Sequence, residues 1–244
     1  MGEYKQIVFS GRRVSRDAAP PPDSREGLLL ARVQEGPDSA SAPSPTMLPA
    51  LKAATAGHHA RVEALMPSLD ALATPPGYAA ALRALHAFHA AWEPAVWSAP
   101  GLDAAGLDPA ARRKLPLLER DLRARGIEPC ELRPPAPDIP DAAAALGALY
   151  VLEGATLGGR VIHRHVAGPL GLTPERGGAY YHGYGADTGA RWKALGAVID
   201  RHAAAAGEDR VVAGAVACFA ALEAWLATPG ALAPEPEPSL SAAS

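Results

Sequence analysis

Cysteine is scarce in this chain, and its scarcity limits the chemistry that the chain can carry. The 244 residues include two cysteines, Cys130 and Cys218, which are too few for a disulfide framework and do not have the spacing of a metal motif. A protein that holds together without disulfides is typical of a reducing compartment. We therefore expect a cytoplasmic protein.

A surplus of charge and long apolar runs are also missing. The formal net charge is −3, so the chain lacks the basic excess that is typical of nucleic-acid binding. The longest uncharged helical stretch, residues 142–152, is shorter than the ~20 residues that cross a bilayer. The N-terminus does not show a charged and then apolar signal pattern. We expect neither nucleic acid nor a membrane as a partner.

Alternation of apolar and polar residues, the mark of a half-buried strand, is absent from the central part of the sequence. Apolar residues recur there at helical spacing, which predicts an all-α multi-helix bundle of about seven helices over residues 47–228. Residues 1–46 are rich in proline and predict a disordered extension, and residues 229–244 predict a disordered tail. The clearest helices are predicted at about 49–66, 76–92, 110–125, 141–167, 192–205 and 208–226.

A stripe of glycines lies within the helix predicted over residues 141–167. Gly147, Gly154 and Gly158 are seven and four residues apart and share one face, and Gly159 follows directly. Each glycine inside a helix costs roughly 1 kcal/mol relative to alanine. Without a Cβ atom, however, another group can approach the backbone closely. The stripe predicts either a tightly packed neighbouring helix or a flat ligand lying on the backbone, and the pattern leaves both open.

The first predicted helix carries two adjacent histidines. A helical wheel places both His58 and His59 on or beside the buried face. Lys52 lies on the flank of His59 about 10 Å earlier along the axis, and Glu63 lies four residues later, where a carboxylate can orient an imidazole. These residues suit an iron ligand with a nearby anion-binding cation. They equally suit two ordinary half-buried histidines with Glu63 as a helix-surface partner.

Other histidine pairs give weaker patterns. His86 and His89 are three residues apart, but no carboxylate–histidine repeat completes a di-iron set around them. His163 and His165 are two residues apart and face different sides of a helix. We predict a metal role for neither pair. The glycine pair does not follow a strand, so a phosphate-binding loop is not expected either.

Several separated motifs, in the same order along the chain, resemble the heme oxygenase family. In that family the first core helix reads Leu-Lys-x-x-Thr-x-x-x-His, with a carboxylate four residues later. The matching residues are Leu51, Lys52, Thr55, His59 and Glu63. The resemblance selects His59 rather than His58 as the iron ligand, a choice that the helical pattern alone leaves open.

The second motif points to one branch of that family. Residues 150–159 read Tyr-Val-Leu-Glu-Gly-x-Thr-Leu-Gly-Gly, which is similar to the bacterial, biliverdin-producing type that accompanies bacteriophytochromes. Residues 114–118 and 183–192 are similar to the same branch. The resemblance covers about residues 47–227 and implies a heme-oxygenase-like helical bundle.

The resemblance also implies an activity. Heme oxygenases open the ring of heme b oxidatively to biliverdin and release carbon monoxide and ferrous iron. Heme is then both substrate and cofactor, O2 is the second substrate, and electrons come from an external reductant, because the sequence contains no flavin or nicotinamide motif. A ferredoxin- or flavin-type electron donor and a bacteriophytochrome as product acceptor are the implied partners.

Site residues carry over from the family position by position. His59 would bind the iron, and Glu63 would orient the His59 imidazole. Gly154, Gly158 and Gly159 would leave space for dioxygen above the heme ring. The residues implied to bind the heme propionates are Lys52 and Lys193, together with Tyr184 and Arg160.

One position departs from many family members. An aspartate that organises water commonly follows the first distal glycine, and this chain has Ala155 there. The bacterial branch commonly has a small residue at this point, so the resemblance implies proton delivery through ordered waters held by backbone groups, with Thr156 or Tyr150 as helpers. A heme- or bilin-binding module without turnover is the alternative function that this alanine leaves open.

Overall fold

The computed structural model describes residues 46–233, and within this range all regular structure is helical. The all-α prediction is confirmed. The α-helices of this range are α1 (Met47–Leu65), α2 (Leu69–Leu72), α3 (Pro75–Trp97), α4 (Pro109–Arg112), α5 (Leu115–Arg125), α6 (Ala142–Leu170), α7 (Ala179–His182), α8 (Thr188–Ala206) and α9 (Glu208–Leu226). Most of the predicted extension and tail, residues 1–45 and 234–244, lie outside the described residues.

Local residues explain where α3 and α6, the two longest helices, begin and where α6 ends. The Thr74 hydroxyl accepts a hydrogen bond from Gly77 N at the start of α3, and the Asp141 carboxylate caps α6 in the same way. Gly171 ends α6 with φ +64°, a left-handed conformation that glycine adopts without strain. Helix α6 therefore runs 29 residues, three residues past its predicted end.

The structure corrects two predicted helix boundaries. Helix α3 does not end before Pro94 but continues to Trp97, because Glu93 and Val96 on either side of the proline are buried and held in place. The helix predicted over residues 110–125 is divided into α4 and α5. The break lies where the Glu93 carboxylate accepts hydrogen bonds from the backbone N–H groups of Lys114 and Leu115 and caps α5.

The predicted tail begins later than residue 229. Ala231 is 1% exposed and belongs to the apolar core, and the Arg83 side chain donates a hydrogen bond to the carbonyl of Ala233 at 3.3 Å. The packed domain therefore extends at least to the last described residue, past the predicted boundary at residue 228.

Helices α6 and α9 form the centre of the bundle, where their backbones touch. A Cβ atom added to Gly147 would lie 2.1 Å from the carbonyl oxygen of Val211, and one added to Gly214 would lie 2.3 Å from that of Ala144. Neither distance is sterically allowed, so the close approach needs glycine on both helices. At Gly147 the glycine stripe therefore serves helix packing.

Helix α6 is also long and apolar enough to cross a membrane, judged by length and composition among the described residues. In the bundle, 78% of its most apolar window is buried against other helices. That burial is typical of a central core helix.

Two glycines of α6 allow a matched test of this packing. Replacing Gly147 with alanine should lower the free energy of unfolding by about 1–3 kcal/mol, because the new methyl group must push α9 away. The control Gly168→Ala lies on the same helix, and its Cβ would meet nothing within 4 Å. It should change the free energy of unfolding by less than about 1 kcal/mol, because the higher helix propensity of alanine is offset by crowding against the following Pro169. Urea unfolding measures both, and a Gly147→Ala protein as stable as the parent would contradict the backbone contact.

Candidate active site

A cavity lies between α1, α6, α7 and α9, with single contributions from α2 and α3. It encloses about 860 Å³ of space, part of it continuous with solvent, which is within the usual range for a small-molecule pocket. Most of its wall is apolar. The apolar side chains of the wall, tyrosines aside, are Val62, Met66, Leu72, Leu85, Val151, Ala155, Ile162, Phe219, Leu222 and Leu226.

Helix α1 contributes a histidine–carboxylate pair to this wall. The Nδ1 atom of His59 lies 3.6 Å from Oε2 of Glu63, and the two side chains are 24% and 21% exposed. The ring of Phe219 from α9 meets the imidazole edge-on, with centroids 5.8 Å apart. Burial, and next the positive charge of Lys52, hold the pKa of His59 below its usual value. The imidazole is therefore neutral near pH 7, which is the form that binds metals.

The neighbouring histidine is bound to another helix. Nδ1 of His58 lies 2.9 Å from Oε2 of Glu223 on α9, and Arg61 donates to Oε1 of the same carboxylate at 2.6 Å. His58 is not among the residues that line the cavity. Successive residues point about 100° apart on a helix, so the two histidines face different surroundings.

The glycines of α6 divide between two roles. Gly154 and Gly158 are buried and line the cavity, so no side chain projects from the helix at these points. Gly159 also lines the cavity, but a Cβ there would lie 3.1 Å from the carbonyl oxygen of Tyr181, so this glycine lets α7 approach α6. With Gly147 packed against α9, both interpretations of the stripe apply, each at different positions.

A buried polar chain lies behind the tyrosine wall of the cavity, and the sequence analysis missed it. His89 on α3 is hydrogen-bonded through Nδ1 to Oε1 of Glu93 at 2.8 Å, and both side chains are 3% exposed. Its other ring nitrogen, Nε2, lies 3.4 Å from the hydroxyl of Tyr180, which lines the cavity. The signal was present, because Glu93 follows His89 at the same four-residue spacing that joins Glu63 to His59.

Glu93 carries its charge in spite of its burial. Burial by itself would raise the pKa of Glu93, but hydrogen bonds from His89 and from the backbone N–H groups of Lys114 and Leu115 hold it below the usual value. The carboxylate therefore stays ionised at neutral pH. It fixes the proton of His89 on Nδ1 and leaves Nε2 directed toward Tyr180.

Tyr184 belongs to a second buried polar cluster. Arg112 binds both carboxylate oxygens of Glu153 at 2.9 and 2.8 Å, and the Tyr184 hydroxyl lies 3.2 Å from Oε2 of Glu153. Lys114 donates to the Tyr184 hydroxyl, and Arg191 lies over its ring. Burial lowers the pKa of Lys114 to about 8. Residues 114–118, 150–159 and 183–192, the motifs of the bacterial branch, thus meet in one structural cluster.

The four residues predicted to hold propionates lie outside the described cavity wall. Tyr184 belongs to the Glu153 cluster, and Arg160 is exposed on the side of α6 that faces away from Gly158. Lys52 is exposed on α1, near enough for its charge to act on His59. Lys193 is exposed on α8, next to Trp192, whose ring lies 5.5 Å from that of the cavity residue Tyr150.

Within residues 46–233, no group of three or more His, Cys, Asp or Glu side chains could hold a metal ion by itself. The two ring nitrogens of His89 are directed to Glu93 and Tyr180. A single cavity histidine suits a metal that brings its other ligands with it, as in a metal–organic ring.

No family model matches the chain. Over 118 residues the chain is 37% identical to a protein named heme oxygenase from Xanthomonas campestris pv. campestris (strain 8004), a match that covers 48% of this chain and 68% of the relative.

The fold has a counterpart among solved structures. It is similar to the NO- and CO-bound heme oxygenase from Neisseria meningitidis, with a TM-score of 0.66 and 24% sequence identity over 75% of this chain and 91% of that chain. Sequence and fold lead to the same family as the motifs of α1 and α6: the chain belongs to the heme oxygenase family.

Proposed function

We propose that this protein opens heme oxidatively to biliverdin, with release of carbon monoxide and ferrous iron. The observation that carries the proposal is one apolar cavity lined by the neutral, carboxylate-paired His59 of α1 and by the bare backbone of α6 at Gly154 and Gly158. Heme is a flat and largely apolar substrate with two carboxylates at one edge, and the volume and lining of the cavity suit it.

His59 is the proposed iron ligand. Its Nδ1 atom lies 3.6 Å from Oε2 of Glu63, so Nε2 is the nitrogen that would reach the metal, and the Glu63 carboxylate would orient the ring by closing on Nδ1. The edge-on ring of Phe219 restricts rotation of the imidazole. As a ligand, a neutral histidine would not supply the electron push with which a thiolate favours cleavage of the O–O bond.

Gly154 and Gly158 leave room for substrate and dioxygen along α6. Any side chain at these positions would project into the space where a flat ring and a small second ligand must fit together. With heme bound, the apolar wall would keep bulk water away from the face of the ring beside α6. The glycines therefore act by shape, and the chemistry is supplied by heme and its iron.

Lys52 and Lys193 are the proposed partners of the heme propionates. Lys52 is an exposed cation on α1 whose charge acts on His59, and Lys193 is an exposed cation on α8, next to Trp192, whose ring lies 5.5 Å from that of the cavity residue Tyr150. Two cations at one edge would set how the ring is rotated about the iron, and rotation decides which meso carbon lies below dioxygen.

The electrons and the product require other proteins. We propose a separate ferredoxin- or flavin-type donor, because the sequence carries no motif for a flavin or nicotinamide. Biliverdin would pass to a bacteriophytochrome, as the resemblance of residues 150–159 to that bacterial branch suggests. Both cysteines are buried and free of disulfides, which supports a cytoplasmic location.

Reconstitution with heme tests the proposal. The heme complex, reduced without oxygen and then exposed to air, should convert its Soret band into the absorption of biliverdin, with ferrous iron released. His59→Ala should lose the histidine-ligated spectrum. The control His58→Ala removes the adjacent histidine, which binds Glu223 instead, and should keep that spectrum. Heme that survives air and reductant unchanged would instead identify a heme-binding module without turnover.

Propionate binding has its own test. The double variant Lys52→Ala/Lys193→Ala should weaken heme binding by roughly threefold to tenfold, as expected for two exposed ion pairs, and should broaden the mixture of biliverdin isomers. The control Arg160→Ala removes an exposed cation on the far side of α6 and should change neither property. Heme titration and chromatography of the pigments measure both. Equal effects of the two sets of substitutions would contradict the assignment of the lysines.

A further inference from the structure

On the side of α1 the cavity has the acid–base pair His59 and Glu63, whereas α6 contributes a single acid–base group to the described wall, the phenol of Tyr150. Glu63 is the one carboxylate among the described lining residues, and it is paired with His59. On α6 the position after Gly154 is Ala155, which cannot hold a proton. Reduction of dioxygen takes up protons together with electrons, so a phenol on this side that is linked to a further titratable group is a candidate for the proton donor.

A titratable pair lies immediately behind this part of the wall. His89 and Glu93 are joined at 2.8 Å, and both side chains are 3% exposed. Nε2 of His89 is 3.4 Å from the hydroxyl of Tyr180, and the two rings meet edge-on with centroids 5.6 Å apart. Tyr180 lines the same cavity as Gly154 and Gly158, so the chain of polar groups leads from the interior to the substrate space.

Backbone hydrogen bonds hold both ends of the Glu93–His89–Tyr180 chain in place. Glu93 is fixed by two backbone N–H groups at the start of α5, and Tyr180 N and Ala179 N are fixed by the carboxylate of Asp121. Both ends of the chain are thus anchored by backbone hydrogen bonds. A cap for α5 needs only the carboxylate, and the histidine between Glu93 and Tyr180 adds an imidazole whose two ring nitrogens link the carboxylate to the phenol.

We propose that Glu93, His89 and Tyr180 form a proton relay that delivers protons to the α6 side of the cavity. The proposal rests on the heme-opening function proposed above. Tyr180 is the catalytic residue of the relay, because it borders the substrate space, and His89 and Glu93 act through it.

The proton balance of the relay is simple. With His89 doubly protonated, Tyr180 Oη would donate its proton toward the substrate space and would take the Nε2 proton of His89 in its place. His89 is left neutral, with its Nδ1 proton still on the hydrogen bond to Glu93. The electrons come from the external donor, and His89 regains its proton from water. Glu93 keeps its charge throughout, which stabilises the protonated imidazole before each transfer.

Two substitutions test the relay without removing its shape. Tyr180→Phe deletes the hydroxyl, and His89→Gln keeps hydrogen-bonding groups but cannot take up and release a proton. Each should lower kcat by roughly tenfold to a hundredfold, in the range of a lost general acid, with heme affinity within twofold of the parent. The double variant should be no slower than the slower single variant, because the two groups act in series.

A matched control lies one turn earlier on α3. His86 is also buried, at 7% exposure, and its Nδ1 atom has no hydrogen-bond partner in the described structure. His86→Gln should keep the parental kcat. A readout independent of turnover is the C–O stretching frequency of the ferrous complex with carbon monoxide, which should shift in Tyr180→Phe, since the polar hydroxyl beside the ligand is lost, and stay constant in His86→Gln.

The outcomes separate this proposal from the function on which it rests. If the parent protein binds heme but forms no biliverdin, the proposed function fails. If the parent forms biliverdin, the relay is overturned when either single variant keeps kcat within twofold, when the two losses multiply in the double variant, or when the C–O frequency of Tyr180→Phe equals that of the parent.

Discussion

The contact between the backbones of α6 and α9 is the constraint on which the rest of the structure depends. Gly147 and Gly214 let each helix press against carbonyl groups of the other, and no side chain can adjust the distance between them. Further along, the same two helices separate and leave the cavity between them, with Phe219 on one side and Gly158 on the other. Tight packing at one end of α6 thus fixes the width of the space at its middle.

Much of the fold and part of the site could be predicted from the sequence, because they depend on spacing along one helix. Apolar periodicity located the long helices, and the motif on α1 selected the histidine that lines the cavity. The sequence did not show which glycines of the stripe pack against a helix and which line the cavity. Whether Gly147 meets a helix or a ligand depends on which residue of α9 lies opposite, and that information is not local.

The positions of the residues proposed as propionate ligands could not be predicted from the chemistry of their side chains. Tyr184 and Arg160 have groups that can bind a carboxylate, yet Tyr184 lies against Glu153 and Arg160 faces away from the cavity. The break between α4 and α5 was equally hidden, because it is set by Glu93, a residue more than twenty positions away. Long-range capping by a buried carboxylate leaves no periodic pattern. The His89–Glu93 spacing was visible, but its meaning depended on Tyr180 from a distant helix.

The link between α1 and Glu223 has a consequence for which histidine is available to a ligand. Glu223 holds both His58 and Arg61 on one flank of α1, while Leu51 and Thr55 are buried on another. Turning α1 about its axis by one residue would bring His58 toward the cavity and carry His59 away from it. A half-exposed ion pair of this kind adds little to overall stability. The ion pair instead favours one rotation of α1 about its axis, the one that places His59 in the cavity. Which histidine faces the substrate therefore depends partly on Glu223, a carboxylate that does not line the cavity.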